Sequence, residues 1–290
     1  MKVSGFTFSR NAIQLDYPIV EAIQSILPIC DEVVVAVGNS DDATMALIEG
    51  IAPDKIKIVP TVWDDSLREG GKVLAVETNK AFAAIAKDSD WAFYIQGDEV
   101  MHEMYLPVVQ QAMETHLNNK AVDGLLFNYT HFYGSYDYIG SSSKWYRHEI
   151  RVVRNDQSIY SYRDAQGFRK GANQKLNVKA IDAAIYHYGW VKAPEAMQRK
   201  QESFHKLWHD DQWMEKHVAK VEAFDYLSHI NQLQVFEGSH PKVMQKRIAA
   251  KNWQFEYDIS FNKRNLKERF KSFLRKYLNI DIGYKNYKRV

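Results

Sequence analysis

The 290-residue sequence has a single cysteine, Cys30. That excludes an intramolecular disulfide framework and a cysteine-rich metal site, and a reducing cytoplasm is the simplest expected location. There is no basic start followed by an apolar core and a small-residue cleavage site, and no run of about 18 apolar residues. Neither export by an obvious signal nor a membrane-spanning helix is expected. Internal repeats and low-complexity linkers are also missing. Net charge is only +2 but unevenly placed. Residues 241–290 carry fourteen Lys/Arg against four Asp/Glu, a local +10 that leaves −8 on residues 1–240. A basic tail on an acidic body suits an anionic surface, and no recognised motif accompanies it that would make nucleic acid the partner. With 46% apolar and 26% charged residues the composition is that of a globular chain able to bury a substantial core.

Hydrophobic patterning gives an alternating order. Lys2 to Phe8 reads as a strand and Ser9-Arg10-Asn11 as the loop after it. Tyr17-Pro18 opens a helix with Ile19, Ala22, Ile23, Ile26 and Leu27 at helical spacing. Val33 to Val37 is a continuous branched run suited to a central parallel strand, breaking into Gly38-Asn39-Ser40-Asp41-Asp42 before a helix resumes at Thr44. Ile56 to Val59 is a third strand, Val73 to Ala86 a helix, and Trp91 to Ile95 a fourth strand ending in Gln96-Gly97-Asp98-Glu99. This order defines an α/β class with a mainly parallel sheet flanked by helices. Burying Asp98 and Glu99 within the sheet would be costly, so both are expected at its rim, where open α/β sheets bind ligands. Further on, the patterning predicts a helix from Pro107 to Leu117 and a strand from Gly124 to Tyr133. A ligand-closing loop is expected from Gly134 to Ser143, paired strands over 145–154 and 158–162, and one long polar helix from Ala193 to Val218.

Four of these segments, in order, resemble the family 2 glycosyltransferases of the GT-A fold. They are the opening strand-loop-helix, Val33 to Thr44, the helix Gly71 to Ala84 with Asn79, and Trp91 to Glu99. The resemblance implies a GT-A-like nucleotide-sugar-binding and catalytic domain over 1–220, followed by a basic helical extension over 221–290. It implies transfer of a sugar from a nucleoside-diphosphate-sugar donor to a glycan or lipid-linked acceptor hydroxyl, usually with inversion. Asp98 matches the family's metal-contacting aspartate, implying Mn²⁺ or Mg²⁺, which would neutralise the departing diphosphate. Ile185 to Trp190 resembles a segment of a bacterial branch that decorates cell-surface polysaccharide, and His187 within it could complete a Mn²⁺ site, contact the pyrophosphate, or simply be hydrogen-bonded in the core.

The chain also departs from the family pattern. Gln96 stands where an aspartate commonly contacts the donor ribose; it can hydrogen-bond a hydroxyl but adds no charge for a metal. The aspartate that ends the second strand in many members is replaced near Val37-Gly38. Candidate donor-binding residues are Ser9, Arg10, Asn11, Asn39, Asp42, Arg68, Lys72, Gln96 and Gly97, with Asp42 alternatively an acid in an early helix turn and the cations alternatively solvated. Asp164, in Tyr162 to Phe168, occupies the position of the family's catalytic carboxylate segment and is the first candidate base. Glu149, in a strand pattern beside arginines, is the reserve. His205 and His209 have the i,i+4 spacing of a zinc pair, but no acidic catalytic partner accompanies them, so a solvated helix face is the expectation. A non-catalytic nucleotide-sugar or glycan-binding protein is the competing reading, supported by Gln96. A sugar-nucleotide pyrophosphorylase lacks support, since Ser4 to Asn11 has no Gly-rich activating loop.

Leu266, Phe270, Phe273, Leu274, Tyr277 and Leu278 recur at helical spacing, with Lys267, Arg269, Lys271, Arg275 and Lys276 on the remaining arc. Such a basic amphipathic helix can lie on an anionic leaflet, giving peripheral membrane contact through 262–290 at the inner face of the cell membrane. Alternatively its apolar stripe docks on the body of the protein or on a second subunit in a homodimer.

Overall fold

The computed structural model describes residues 1–218, 221–230, 232–261, 266–278 and 285–290. In chain order the first half comprises β1 (Val3–Ser9), α1 (Ile19–Ile26), β2 (Glu32–Gly38), α2 (Thr44–Glu49), β3 (Ile56–Thr61), α3 (Lys72–Ala83), β4 (Trp91–Tyr94), β5 (Glu99–Met101) and α4 (Leu106–His116). The second half comprises β6 (Gly124–Tyr133), β7 (Ser135–Gly140), β8 (His148–Arg154), β9 (Ile159–Tyr162), β10 (Gly167–Lys170), β11 (Gln174–Lys175), β12 (Asn177–Trp190), α5 (Pro194–Lys206), α6 (Asp211–His217), β13 (Leu233–Val235), α7 (Gln245–Ala249), α8 (Leu266–Leu278) and β14 (Lys288–Arg289).

The main sheet runs in the order β13-β7-β6-β8-β4-β1-β2-β3. From β4 to β3 every pairing is parallel, as the alternating strand-helix order requires. β8 then pairs antiparallel with both β4 and β6, so β6 and the long β12 beside it run in the same direction as β1 to β4. The α/β architecture expected from the sequence is present, with antiparallel pairing confined to β5 and to strands of the second half and the β4 edge they meet.

Period-two alternation sends the β2 side chains into two cores. Val33, Val35 and Val37 pack with Ile19, Ile23 and Ile26 of α1, whereas Val34 and Ala36 pack with Ala81 and Phe82 of α3. Because β1 to β4 are parallel, their carboxyl ends share one edge. The carboxyl ends of β6 and β12 and the amino end of β8 reach that same edge.

Several local expectations are corrected. The segment 134–143 is not a closing loop: Gly134, at φ +71°, makes a tight turn that only a glycine adopts without strain. This folds β7 back on β6, and β13 covers the other edge of β7. The long polar helix divides into α5 and α6. β9 pairs with β10 in a separate three-stranded sheet, not with β8. Glu99 is wholly buried, because Arg151 enters the core with it.

The domain boundary expected at 220 lies outside the described residues. The segment beyond it returns to the body. Met244 packs with Phe132 and Tyr188, Tyr287 joins the core around Phe6 and Tyr94, and β14 pairs with β12. α8 leaves Leu266, Phe270, Phe273, Tyr277 and Leu278 exposed. No helix among the described residues is long and apolar enough to cross a membrane.

Candidate active site

A cleft of about 800 Å³ opens along the shared strand edge. Its floor comes from the loops after β1 (Ser9, Arg10, Asn11) and β4 (Gln96, Gly97, Asp98). One wall comes from Trp63, Asp65 and Arg68 after β3, and the facing wall from Trp145, Tyr146, His187 and Trp190. The β9–β10 turn brings Asp164 and Gln166, and the last turns of α5 bring Lys200 and the stretch 203–207. Flat aromatic walls with a few convergent charged groups form a site for a polar, ring-containing ligand.

Of the residues singled out from the sequence, Ser9, Arg10, Asn11, Arg68, Gln96, Gly97, Asp98, Asp164 and His187 line this one cleft. Asn39, Asp42, Lys72 and Glu149 do not. Asp42 accepts from the backbone amides of Gln14 and Thr44 at 2.8 and 2.9 Å and from the Thr44 hydroxyl. It therefore ties the loop after β1 to the start of α2, as an acid in an early helix turn would. Asn39 accepts from the Trp63 amide at 3.1 Å. Lys72 is exposed and pairs with Glu69 at 2.7 Å. Asn79 exchanges two hydrogen bonds with the Ser161 backbone, pinning β9 onto α3. His205 and His209 join a ring stack with Trp213 and His217.

Arg10 and Arg68 each have a partner that fixes them in the cleft. Arg10 Nη1 donates to Asp65 at 2.6 Å and its guanidinium lies over Trp63. Arg68 donates to Asp211 at 2.8 Å and to the Lys206 carbonyl at 2.7 Å, while its Nη2 is buried without an acceptor. The Trp63 and Trp145 indole N–H groups are likewise buried and unpartnered. Unsatisfied buried donors are costly, and the two indole nitrogens lie against the backbones of Gly38 and Gly140 instead of opening into the cleft.

Asp98 lies in the cleft beside two basic groups. Lys200 Nζ donates to Asp98 Oδ2 at 3.0 Å and to the Gly189 carbonyl at 2.8 Å, and His187 Nε2 is 3.7 Å from the same carboxylate oxygen. Burial pushes the Asp98 carboxyl up, but the Lys200 ammonium, aided by His187, outweighs it and holds the group well below the usual carboxylate range. His187 Nδ1 lies 3.3 Å from His131 Nδ1, and burial, reinforced by His187, takes His131 down to about 3. Burial also lowers the His187 imidazole, opposed by the Asp98 carboxylate.

The expectation of Mn²⁺ or Mg²⁺ held by Asp98 and His187 is tested by these contacts. An ion on Asp98 would share its carboxylate with a buried ammonium, a like-charge contact in a poorly solvated place. Gln96 adds no negative charge to compensate, and its amide nitrogen donates to the Tyr94 hydroxyl at 3.3 Å and the Ala165 carbonyl at 3.2 Å. No three His, Cys, Asp or Glu side chains among the described residues are grouped to hold a metal. The residues as arranged do not fit a divalent cation.

The two candidate bases differ sharply. Asp164 is partly buried at the cleft surface, between Arg163 at φ +57° and Ala165 at φ +63°. Such left-handed residues are strained, and strain of this kind gathers at working turns. Gln96 helps hold the turn through the Ala165 carbonyl, and Gly71, at φ +67°, packs so closely that a Cβ there would stand 2.9 Å from Asp164 Cβ. Burial raises the Asp164 carboxyl, opposed by its backbone N–H bonds. Glu149 lies behind the cleft, where Gln166 donates to it at 3.0 Å and its other oxygen is buried without a partner. Burial, opposed by Arg151, raises it to about 8.

Sequence reading did not single out Lys200, Tyr17, His131 or Trp190. Lys200 had a visible signal: it falls on the face of α5 occupied by Ala196 and Met197, where a charged residue is buried only with a partner.

No protein-family model matches the chain, and no curated protein matches it in sequence. Solved structures do resemble it. The S. aureus TarS 1-349 structure is 16% identical with a TM-score of 0.42, over 70% of this chain and 64% of that one. The same protein in complex with UDP-GlcNAc is 15% identical with a TM-score of 0.41. Glucosyl-3-phosphoglycerate synthase from Mycobacterium tuberculosis, in complex with Mn²⁺, UDP and phosphoglyceric acid, is 20% identical with a TM-score of 0.30, over 45% of this chain and 43% of that one. The chain thus spans just under two thirds of the TarS chain it matches.

Proposed function

We propose that this protein is an inverting glycosyltransferase that moves a sugar from a nucleoside-diphosphate-sugar to an acceptor hydroxyl. One observation carries the reading: an aromatic-walled cleft at the carboxyl edge of the parallel strands brings the guanidinium groups of Arg10 and Arg68 together with the carboxyl of Asp164. The base and ribose of the donor occupy the end near Ser9, Asn11 and Trp63, and Arg68 receives the diphosphate. The acceptor oxygen attacks the anomeric carbon opposite the diphosphate. Its proton passes to Asp164, the bond from carbon to the diphosphate oxygen breaks, and that oxygen leaves with the electron pair. A carboxyl raised by burial is suited to taking that proton.

The acceptor class that fits is a glycan or a lipid-linked sugar in surface polysaccharide or glycolipid synthesis. The exposed apolar residues of α8, on a basic segment, support contact with the inner face of the cell membrane. A non-catalytic nucleotide-sugar-binding protein is the second reading, favoured by Gln96, whose amide is engaged in holding the Asp164 turn and adds no charge.

Nucleotide release from a panel of UDP- and GDP-sugars, with and without oligosaccharide acceptors, separates the two. The enzyme releases nucleotide, and its product has the opposite anomeric configuration by NMR. Binding without release in every combination would favour the second reading.

A further inference from the structure

Lys200 occupies the place that a divalent cation would take beside Asp98. The ammonium donates to the Asp98 carboxylate at 3.0 Å, and its second hydrogen bond runs to the Gly189 carbonyl at 2.8 Å. Both side chains are largely buried, and Tyr17 lies beneath the ammonium at 5.1 Å. An ammonium has three N–H groups, and the third has no acceptor among the described residues, while Lys200 itself lines the cleft. Gly189 is part of the same arrangement. A Cβ there would stand 2.6 Å from Asp98 Oδ2 and 2.7 Å from His187 Nε2, so a glycine is what lets the carboxylate approach.

Resting on the proposed function, we infer that Lys200, positioned by Asp98, is the resident cation for the donor's diphosphate, and that nucleotide binding needs no divalent metal. Asp98 is then a positioning residue. It keeps the ammonium charged inside the protein and aims its remaining N–H at the oxygen that leaves. The sequence pattern alone implies the opposite assignment, with Asp98 as a metal contact.

The test is calorimetric titration of the full chain with UDP and with GDP, in excess EDTA and then in excess MnCl₂, alongside Lys200→Gln and Lys200→Arg. The expected result is a Kd that differs by less than about threefold between EDTA and Mn²⁺. Loss of a charge-assisted hydrogen bond in Lys200→Gln should weaken binding by about tenfold or more, with partial recovery in Lys200→Arg. Binding that appears only with Mn²⁺, or a folded Lys200→Gln that binds like the parent in EDTA, would overturn the inference while leaving the proposed function intact. Should Lys200→Gln fail to fold, the EDTA and Mn²⁺ comparison on the unaltered protein still decides. No binding of either nucleotide under both conditions would defeat the proposed function and this inference together.

Discussion

Arg151 donates from Nε and Nη2 to the two oxygens of Glu99, at 2.7 and 2.6 Å, and neither side chain has any solvent exposure. The Tyr129 hydroxyl and the Gln96 backbone N–H complete the shell around that carboxylate. The pair fixes the turn between β4 and β5, from which Asp98 points into the cleft. Removing one partner strands a buried charge. Arg151→Met should therefore destabilise the protein by about 3–5 kcal/mol, and Glu99→Gln comparably, as measured by urea denaturation. Losses below about 1 kcal/mol would show that the pair does not hold the turn.

Asp164 should be separable from binding. In Asp164→Asn the turn and its backbone hydrogen bonds remain, but the proton acceptor is lost. Sugar transfer should fall by about 100-fold or more, while the nucleotide Kd changes little. Transfer at the parent rate would remove Asp164 from the mechanism.

Glu149 gives a pH signature. Its folded-state value, raised by burial from 4.5 to about 8, means that the native protein keeps a proton that the unfolded chain releases. The stability this contributes is full below about pH 4.5 and is lost as pH rises to about 8. Gln cannot ionise, so Glu149→Gln should melt close to the parent near pH 5 and above it near pH 8.5, with transfer retained because Glu149 lies outside the cleft. A constant difference in Tm across this range would contradict the assignment.

Gly189→Ala should injure the site without changing its charge. The new methyl meets Asp98 and His187, and overpacking of this kind costs about 1–3 kcal/mol. Nucleotide affinity should drop as Asp98 and Lys200 shift. Unchanged affinity in calorimetry would mean that their placement does not matter.

The membrane contact proposed for α8 is best tested by substitution, since truncation would also remove Tyr287 and β14, which pack on the body. Phe270→Ser with Phe273→Ser should abolish flotation with vesicles containing anionic lipid and leave Tm nearly unchanged. Flotation equal to the parent would defeat the contact, and a change of mass in light scattering would identify a second copy of the chain as the occupant.

The first half of the fold was legible because its signals are local. Val33 to Val37 can only be a strand buried on both faces, and the strand-loop-helix order places Ser9, Gln96 and Asp98 on one edge without any long-range information. β7 misled because Ser135, Tyr136 and Gly140 have loop composition, and its strand character comes from pairing with β6 and β13. What the sequence hid were charges neutralised at a distance. Glu99 looks like a rim residue until Arg151, 52 positions away, is brought to it. Asp98 gives no sign in the sequence of its partner Lys200, 102 positions away. Contacts of that separation are set by the closing of the sheet, not by local pattern.

The most direct test of the central claim, that this cleft holds a nucleoside-diphosphate-sugar, is thermal denaturation against UDP, GDP and their sugars. At a concentration 100 times Kd, a ligand that binds only the native state adds about 2.7 kcal/mol, which in a chain of this size raises Tm by several degrees. At least one nucleotide sugar should produce that shift, and Arg68→Met should reduce it. No shift with any of them would contradict the account.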